Sequence, residues 1–408
     1  MKHNISKSFI KQGLAALFCI LTLFSCNKDL PQPIPIPNTA ATGATLGELI
    51  STNPNYSFFK AAATRVGILP LLMDRNSRFT IFLPDNAAFI VSGITSEAVI
   101  GALPITTVGG IVSYHILPGE EFTSDKIPET FPNIQLPSLI TLGMLPGTSI
   151  PFKMSFFPSK RGSNLWLNNI PFTSADTKAA NGVIHTVAAI VAPPTQVLRD
   201  ALYSKPNLTY FKAAIERADS GQVGLSRFDS LLNYAVTNMT VLAPDDVAFQ
   251  TLLFGSIYGA LVAMGVPPAT AAAQATALSS SPAVFSNPAL YGVLSAERVR
   301  GLIAYHFFAT PNPKTSAFEP NIRVFSVNFS PTPSFVTTLV NSSFATHPGI
   351  MVNATFTGPF VSDLKFTGLG TFPPGGAFYS GTPATTTSKD NHAVNGVFHI
   401  IDKILLPQ

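Results

Sequence analysis

A short motif that occurs twice constrains the fold of this chain more than any other feature. Asn-Gly-Val-x-His lies at residues 181–185 and again at residues 395–399 of the 408. In each copy a turn dipeptide leads into an apolar run that ends at proline, which predicts a strand that closes a domain. Its key positions are Asn181, Gly182 and His185 in the first copy and Asn395, Gly396 and His399 in the second. The repetition predicts two domains of one kind.

Three further blocks repeat in the same order. Residues 55–62 match 207–214, residues 79–89 match 239–249, and the Tyr-His pair at 114–115 recurs at 305–306. The offset between equivalent residues grows from 152 (55 to 207) to 214 (181 to 395), which predicts a tandem duplication with insertions in the second copy. We expect one domain at 45–194 and a second at 195–408, with insertions at about 250–300 and 310–388.

The closing strands are predicted to be buried on both faces. Side chains alternate along a strand, so Val183 and His185 share one face and Ile184 lies on the other. Both faces are largely apolar, as in strands covered on two sides. We therefore expect His185 and His399 to be neutral, hydrogen-bonded core residues, although a histidine offered twice is also a possible site.

The blocks before these strands carry helix signals. Residues 46–72 and 197–232 place Leu, Phe and Ala at helical spacing, which predicts amphipathic helices that pack on a sheet or on other helices. After a β-rich run that ends in proline, Asp85 or Asn86 is placed to cap a helix, and Asp245 or Asp246 is placed to do the same in the second copy. A short acidic or amide side chain there accepts a hydrogen bond from a helix N–H and contributes about 1 kcal/mol.

The repeated Tyr-His pair has two interpretations. The hydroxyl and the imidazole can satisfy buried backbone groups, since both residues lie in apolar sequence. They can instead form a ligand-contact pair. The candidate binding residues are Tyr114, His115, Tyr305 and His306.

The first residues have the form of a targeting segment. Lys2, Lys7 and Lys11 precede an apolar run at 13–24, and Leu-Phe-Ser before Cys26 looks like a bacterial lipobox. We expect a signal peptide at 1–25, acylation of Cys26, and a proline-rich tether at 26–44 that holds the protein on a membrane. The alternative is a plain secretory signal with Cys26 incidental. The expected location is the outer membrane at the cell surface, with the periplasmic face left open.

Composition excludes several functions. Charged residues make up 11% of the chain against an ordinary share of about 25%, and the net charge of +4 comes from scattered Lys and Arg. No basic run marks a nucleic-acid interface. The sequence lacks His-Glu-x-x-His, Gly-x-Ser-x-Gly and a phosphate loop. We therefore expect no catalytic residues, no metal and no cofactor, and the sequence leaves the oligomeric state open.

The first predicted insertion is unusually apolar. Residues 247–296 contain no charged side chain, and the run at 255–266 is apolar enough to suggest a membrane helix. Pro267 and Pro268 interrupt it short of about 20 residues, which favours packed helices or an apolar flap. Within the second insertion, residues 325–379 are rich in Phe, Thr, Ser, Pro and Gly, which predicts short strands and long loops that either contact a partner or pack on their own domain.

The repeated blocks resemble the fasciclin domain family. Residues 80–89, the pair at 114–115 and residues 181–193 match the family's three motifs in order, and residues 240–249, 305–306 and 395–407 match them again. Ala188 departs from the pattern, where the second copy has Asp402. The resemblance implies an α+β fold, each domain being a β-wedge or sandwich with helices along one side. It also implies cell-surface adhesion and binding of proteins or glycans rather than catalysis.

Two functions remain open on the sequence alone. One is a lipid-anchored adhesion or interaction protein that binds an extracellular protein or polysaccharide. The other is a ligand-capture lipoprotein that serves an outer-membrane importer of glycans or peptides. The single tryptophan, Trp166, lies in the first copy and makes an aromatic sugar platform in the second copy less expected.

Overall fold

The closing strand of each copy lies inside a mixed sheet, between one parallel and one antiparallel neighbour. In the computed structural model, which describes residues 42–129, 131, 133–370 and 382–407, strand β8 (Gly182–Val187) runs parallel to β1 (Phe79–Pro84) and antiparallel to β7 (Ile170–Ala179). Every residue of β8 is buried, which confirms the prediction of a strand covered on both faces. The expected signal peptide, Cys26 and most of the tether lie outside the described residues.

The described residues of the first domain form six short α-helices and eight strands. The helices are α1 Leu46–Thr52, α2 Ser57–Arg65, α3 Leu69–Met73, α4 Asn86–Val91, α5 Glu97–Ala102 and α6 Ile105–Tyr114. Besides β1, β7 and β8, the strands are β2 Ile116–Pro118, β3 Leu136–Met144, β4 Pro151–Phe156, β5 Pro158–Arg161 and β6 Asn164–Leu167. Six of them form one sheet in the order β2-β1-β8-β7-β6-β5, and β3 and β4 form a separate hairpin.

The second domain repeats this plan with additions. Its helices are α7 Leu198–Tyr203, α8 Thr209–Ala218, α9 Phe228–Asn233, α10 Asp246–Ala263, α11 Pro268–Ser279 and α12 Ala296–Tyr305. Its strands are β9 Met239–Pro244, β10 Thr310–Pro311, β11 Phe318–Glu319, β12 Ser334–Val336, β13 Ile350–Thr357, β14 Phe360–Thr367, β15 Ala384–Ala393 and β16 Gly396–Ile401. The sheet order is β12-β13-β14-β15-β16-β9, with β16 parallel to β9 as β8 is to β1.

The same glycine position lets the closing strand approach its parallel neighbour in both domains. Gly182 faces Phe79, has φ +153°, and a Cβ there would lie 1.8 Å from the carbonyl oxygen of Phe79. Gly396 faces Met239, and its added Cβ would lie 2.5 Å from the carbonyl oxygen of Met239. Only a residue without Cβ fits this approach, which is why the motif needs glycine.

Each sheet is covered by helices on one face and by strands and loops on the other. In the first domain Phe59, Phe89 and Ile184 belong to the core under the helices, whereas Phe82 and Tyr114 belong to a cluster on the opposite face. The second domain has equivalent clusters. The helices, strands and core clusters of the two domains confirm the predicted α+β class with two tandem domains.

The first insertion forms a long helix and an added one. Helix α10 continues to Ala263, whereas its counterpart α4 ends at Val91, and α11 has no equivalent in the first domain. Helix α10 is the one helix among the described residues that is long and apolar enough to cross a membrane. However, Phe249, Leu252 and Ile257 bury one side of it in the domain core. The extra residues end before α12, the counterpart of α6.

The two domains meet through a buried interface. Trp166 is buried in a cluster with residues of the second domain and donates from Nε1 to the carbonyl oxygen of Pro359 at 2.8 Å. The guanidinium of Arg323, which is buried too, lies 4.7 Å from the ring centre of Phe157 in the first domain. Trp166 is therefore a packing residue, and no sugar ring can stack on it in this structure.

Candidate functional site

The asparagines of the repeated motif hold three chain segments together. Asn181 accepts from the backbone N–H of Leu46 at 2.8 Å and donates to the carbonyl oxygens of Leu72 and Asp74. Asn395 does the same in the second domain, where its partners are the N–H of Leu198 and the carbonyl oxygens of Leu232 and Tyr234. Each asparagine satisfies helix-end groups that would otherwise be buried without partners.

The histidines of the motif are buried and bonded at both ring nitrogens. His185 Nε2 lies 2.8 Å from the carbonyl oxygen of Phe122, and its Nδ1 accepts from the N–H of Asp176 at 3.2 Å. His399 has the same two bonds, to Val324 and Asp390. These partners require Nε2–H and a free Nδ1 lone pair, which is the neutral ring. Burial lowers the pKa of both histidines and is opposed by the neighbouring carboxylates.

The residues that precede these histidines form a matching bulge. Asp176 and Asp390 have positive φ values of 61° and 58°, at register shifts in β7 and β15. Asp176 accepts from the N–H and hydroxyl of Ser124, and Asp390 accepts from the N–H and hydroxyl of Ser326. The bulge therefore fixes a crossing loop in each domain.

The four candidate binding residues of the Tyr-His pairs lie in the interior, so the structure does not support ligand contact by them. Tyr114 and Tyr305 are fully buried and donate to the carbonyl oxygens of Ser155 and Gly349. His115 is hydrogen-bonded to the carbonyl oxygen of Ile111 and accepts at Nε2 from the N–H of Val191.

His306 repeats this arrangement in the second domain, with the carbonyl oxygen of Leu302 and the N–H of Leu405 as its partners. Burial lowers the pKa of His115 and of His306 to about 4. Each histidine joins the end of a helix, α6 or α12, to the segment that follows the closing strand. The structure favours the interpretation in which these residues satisfy buried backbone groups.

The acidic residues before α4 and α10 are helix caps, as predicted. Asp85 accepts from the N–H of Ala88 at 2.8 Å, and Asp245 accepts from the N–H of Ala248 at 2.9 Å. The adjacent Asn86 has a different role, because its side chain accepts from the N–H of Phe58 and so binds the start of α2. Asp246 binds the N–H of Tyr210 at the start of α8 in the same way. Each pair thus ties two helices together.

An open groove occurs at the same place in both domains. The first groove, of about 580 Å³, is lined by Gly110 of α6 and by Pro193 after the closing strand. The second groove, of about 740 Å³, is lined by Gly301 of α12 and by Pro407. The glycines and the prolines are equivalent residues in the repeat. His115 and His306 do not line the grooves, but they fix the segments that form one wall of each.

The walls of the two grooves differ in chemistry. The first groove is lined mainly by aliphatic side chains such as Ile94, Ile140 and Met154. The second has Glu297 and Arg300 on its helix, and its other wall comes from the second insertion, namely Leu339, Val340 and residues 342–344 and 346–348. Phe344 on that wall is 66% exposed. The second groove is therefore the candidate functional site.

The sequence reasoning missed both grooves. Gly110 and Gly301 keep the same spacing from their Tyr-His pairs, and each closing strand is followed by proline at equivalent positions, so a signal was present. It could not show that these residues face each other across open space. Within the described ranges no group of three or more His, Cys, Asp or Glu residues lies close enough to hold a metal ion.

The fold and the site together define the class of protein. It is a tandem-repeat protein whose two α+β domains are each stabilised by buried polar networks, and each domain carries one groove. Residues 54–193 match the family model described as the Fasciclin domain. The first domain therefore belongs to the fasciclin domain family. The second is fasciclin-like because it repeats the same strand register and the same hydrogen bonds.

Relatives of this chain come from distant organisms. It is 27% identical over 176 residues to the protein sll1483 of Synechocystis sp., a match that covers 42% of this chain and 88% of the relative. It is 25% identical over 178 residues to stabilin-1 of Mus musculus, covering 43% of this chain and 6% of the relative. Transforming growth factor-beta-induced protein ig-h3 of Sus scrofa is 25% identical over 175 residues, covering 42% and 21%. The matched region is thus a small part of stabilin-1 and of the ig-h3 protein.

One solved structure aligns with most of this chain. It is a FAS1 domain pair from the insect cell adhesion molecule fasciclin I, with 14% sequence identity and a TM-score of 0.31. The alignment covers 86% of this chain and 96% of that chain.

Proposed function

We propose that this protein is a lipid-anchored adhesion or interaction protein of the outer cell surface, which binds an extracellular protein or polysaccharide and catalyses no reaction. The observation that carries the proposal is the second groove, where a segment absent from the first domain adds an exposed aromatic side chain to a frame that both domains share. Exposed aromatic residues in a groove are typical of binding surfaces.

The shared frame supports binding rather than chemistry. The repeated histidines that first suggest a site are bonded at both ring nitrogens to buried backbone groups, as His185 shows. A neutral ring held in this way has no free lone pair or proton for a substrate. Membership of the first domain in the fasciclin family adds the expectation of adhesion. Anchoring through Cys26 would place the two domains at a membrane, as a surface receptor or adhesin requires.

The test is attachment of cells that display the full-length protein to an oligosaccharide array and to immobilised gelatin. Phe344→Ala removes the aromatic wall of the second groove and is expected to lower attachment to the best surface about tenfold, the size expected for a central aromatic anchor. Phe335→Ala is the matched control, because Phe335 is an exposed phenylalanine of the same insertion that does not line the groove. Equal attachment by the two variants would place binding elsewhere and remove the main support for this function.

The anchor is tested separately. Cys26→Ser is expected to release the protein from membrane fractions into the soluble fraction, whereas metabolic labelling with a fatty acid should mark the wild-type protein alone. Membrane retention of Cys26→Ser without a label would mean that another segment holds the protein.

A further inference from the structure

A small cationic cleft lies where the two domains meet. It has a volume of about 220 Å³ and is lined from the first domain by Ser159, Lys160 and Arg161 and from the second by Val327, Asn328 and Ser330. Phe131 and Glu129 complete the lining. The geometry points to this cleft as a site for an acidic sugar, a uronic acid residue of an extracellular polysaccharide. The inference extends the proposed function by naming a class of ligand, at a place distinct from the second groove.

The first support is the state of Arg161. Its Nη2 donates to the carbonyl oxygens of Val327 and Phe329, and its guanidinium lies 4.5 Å from the ring centre of Phe356. These contacts orient the guanidinium, yet its Nη1 is buried without a hydrogen-bond partner among the described residues. No carboxylate in the described part of the chain forms an ion pair with it. A partly buried guanidinium without an anion is costly, so the site gains most from a ligand that supplies one.

The second support is the polar group beside it. Ser159 is 7% exposed, lines the cleft, and its Oγ is buried without a hydrogen-bond partner in the described ranges. Ser159 and Arg161 are two residues apart on β5, so their side chains leave the strand on the same face. A hydroxyl and a guanidinium on one face provide donors of the kind that a carboxylate accepts.

The third support is the balance of charge. Lys160 lines the same cleft, and its Nζ lies 3.8 Å from a carboxylate oxygen of Glu129, a residue whose side chain is more than half exposed. The described lining residues thus include two cations and one acid. An exposed pair of this kind contributes little to stability, so an incoming carboxylate can replace Glu129 as the partner of Lys160.

Size and shape favour a sugar-borne carboxylate. The cleft is smaller than the roughly 300–1,000 Å³ of pockets that enclose whole drug-sized ligands, so it takes one ring or one substituent of a longer polymer. A planar guanidinium matches a planar carboxylate in two parallel hydrogen bonds. Phe131 lines the cleft and is 43% exposed, which gives a sugar ring an apolar face to pack on.

The experiment is isothermal titration calorimetry of the soluble chain from residue 42 to the C-terminus, which comprises both described domains, with a short oligogalacturonate. Maltohexaose is the neutral control and a sulfated oligosaccharide the second anionic arm. We expect binding of oligogalacturonate, none of maltohexaose, and an affinity that falls as NaCl rises. Tighter binding of the sulfated probe would overturn the assignment to a carboxylate.

Two variants shift the affinity in opposite directions. Lys160→Gln removes a cation and is expected to weaken oligogalacturonate binding about tenfold, whereas Glu129→Gln removes the competing acid and should strengthen it about threefold. Lys178→Gln, a change at a lysine of the same domain outside the cleft, is the control. All three positions are partly exposed, so folding is retained and is checked by the melting temperature. Wild-type affinity in both Lys160→Gln and Glu129→Gln would overturn the site.

The two proposals fail in different ways. If Phe344→Ala abolishes cell attachment while neither cleft variant changes binding of the oligogalacturonate, the adhesion function stands and the cleft is only a contact between domains. If the cleft variants behave as expected but Phe344→Ala attaches normally, the acidic-sugar site stands and the second groove is not the adhesive surface. Absence of oligogalacturonate binding to the wild-type chain overturns the cleft proposal directly.

Discussion

The two domains share a frame and differ in what is attached to it. Both tie the start of their first helix to the motif asparagine, at Leu46 and Leu198, and both fix a crossing loop through an aspartate bulge. The second adds a long apolar helix and an inserted wall that carries Phe344. The comparison shows that the repeated residues stabilise the fold, and that residues specific to one copy are the better guide to binding.

The largest expected effect breaks the frame itself. Gly182→Ala places Cβ 1.8 Å from a backbone oxygen in a conformation that favours glycine, so we expect a loss of about 4–5 kcal/mol and failure of the first domain to fold. Gly396→Ala, with 2.5 Å to the equivalent oxygen, should be less damaging. Gly101→Ala is the control because a Cβ there meets nothing within 4 Å. Circular dichroism and thermal melts measure the stability of the three variants. An equal loss of stability in Gly182→Ala and Gly396→Ala would contradict the prediction.

A smaller effect tests whether the two Tyr-His pairs are equivalent. His115 and His306 have a pKa of about 4 in the folded protein, below the ordinary value of 6.5. Protons therefore bind the unfolded chain more readily, and stability present above pH 6.5 is lost as the pH falls towards 4. We expect each histidine to reduce stability by about 2 kcal/mol between pH 7 and pH 5.

Urea unfolding at the two pH values measures this loss. His115→Gln and His306→Gln should each remove a similar part of the pH dependence, on a protein already weakened at pH 7. His347→Gln is the control, since His347 is only partly buried. A pH dependence that only one of the two variants reduces would show that the domains do not share this device.

The smallest effect concerns the caps. Asp85→Ala and Asp245→Ala each remove one hydrogen bond to a helix N–H, so each should cost about 1 kcal/mol. Asp85→Asn and Asp245→Asn keep the accepting oxygen and should cost less. The melting temperatures of the Ala and Asn variants are compared. If the Asn variants lose as much stability as the Ala variants, then the charge of the aspartate rather than its hydrogen bond stabilises the helix.

Local patterns predicted the frame well. Alternation identified the buried closing strand, and the acidic residue after Pro84 predicted the cap at Asp85, because both signals depend on neighbours in sequence. Asn86 instead accepts a hydrogen bond at the start of α2. That bond depends on a residue 28 positions away and was not predicted. The repeat also predicted the two domains, because equivalent residues keep their order.

Long-range packing was beyond the sequence. Nothing local distinguishes Trp166 as a contact between domains or Arg323 as a buried cation, since their partners lie in the other half of the chain or far along it. The Tyr-His pairs left two interpretations open for the same reason. Polar side chains in apolar sequence predict either buried hydrogen bonds or a binding site, and only their backbone partners in the fold distinguish the two. The grooves required the relative position of a helix and the segment after the closing strand.

The contact between the domains has a consequence for work on a single domain. Trp166 and Phe157 of the first domain are buried in a cluster with side chains of the second. Separating the domains would expose a tryptophan and a phenylalanine to water, which favours association of the separated domain with other molecules. The two domains therefore behave as one unit, whatever each of them binds.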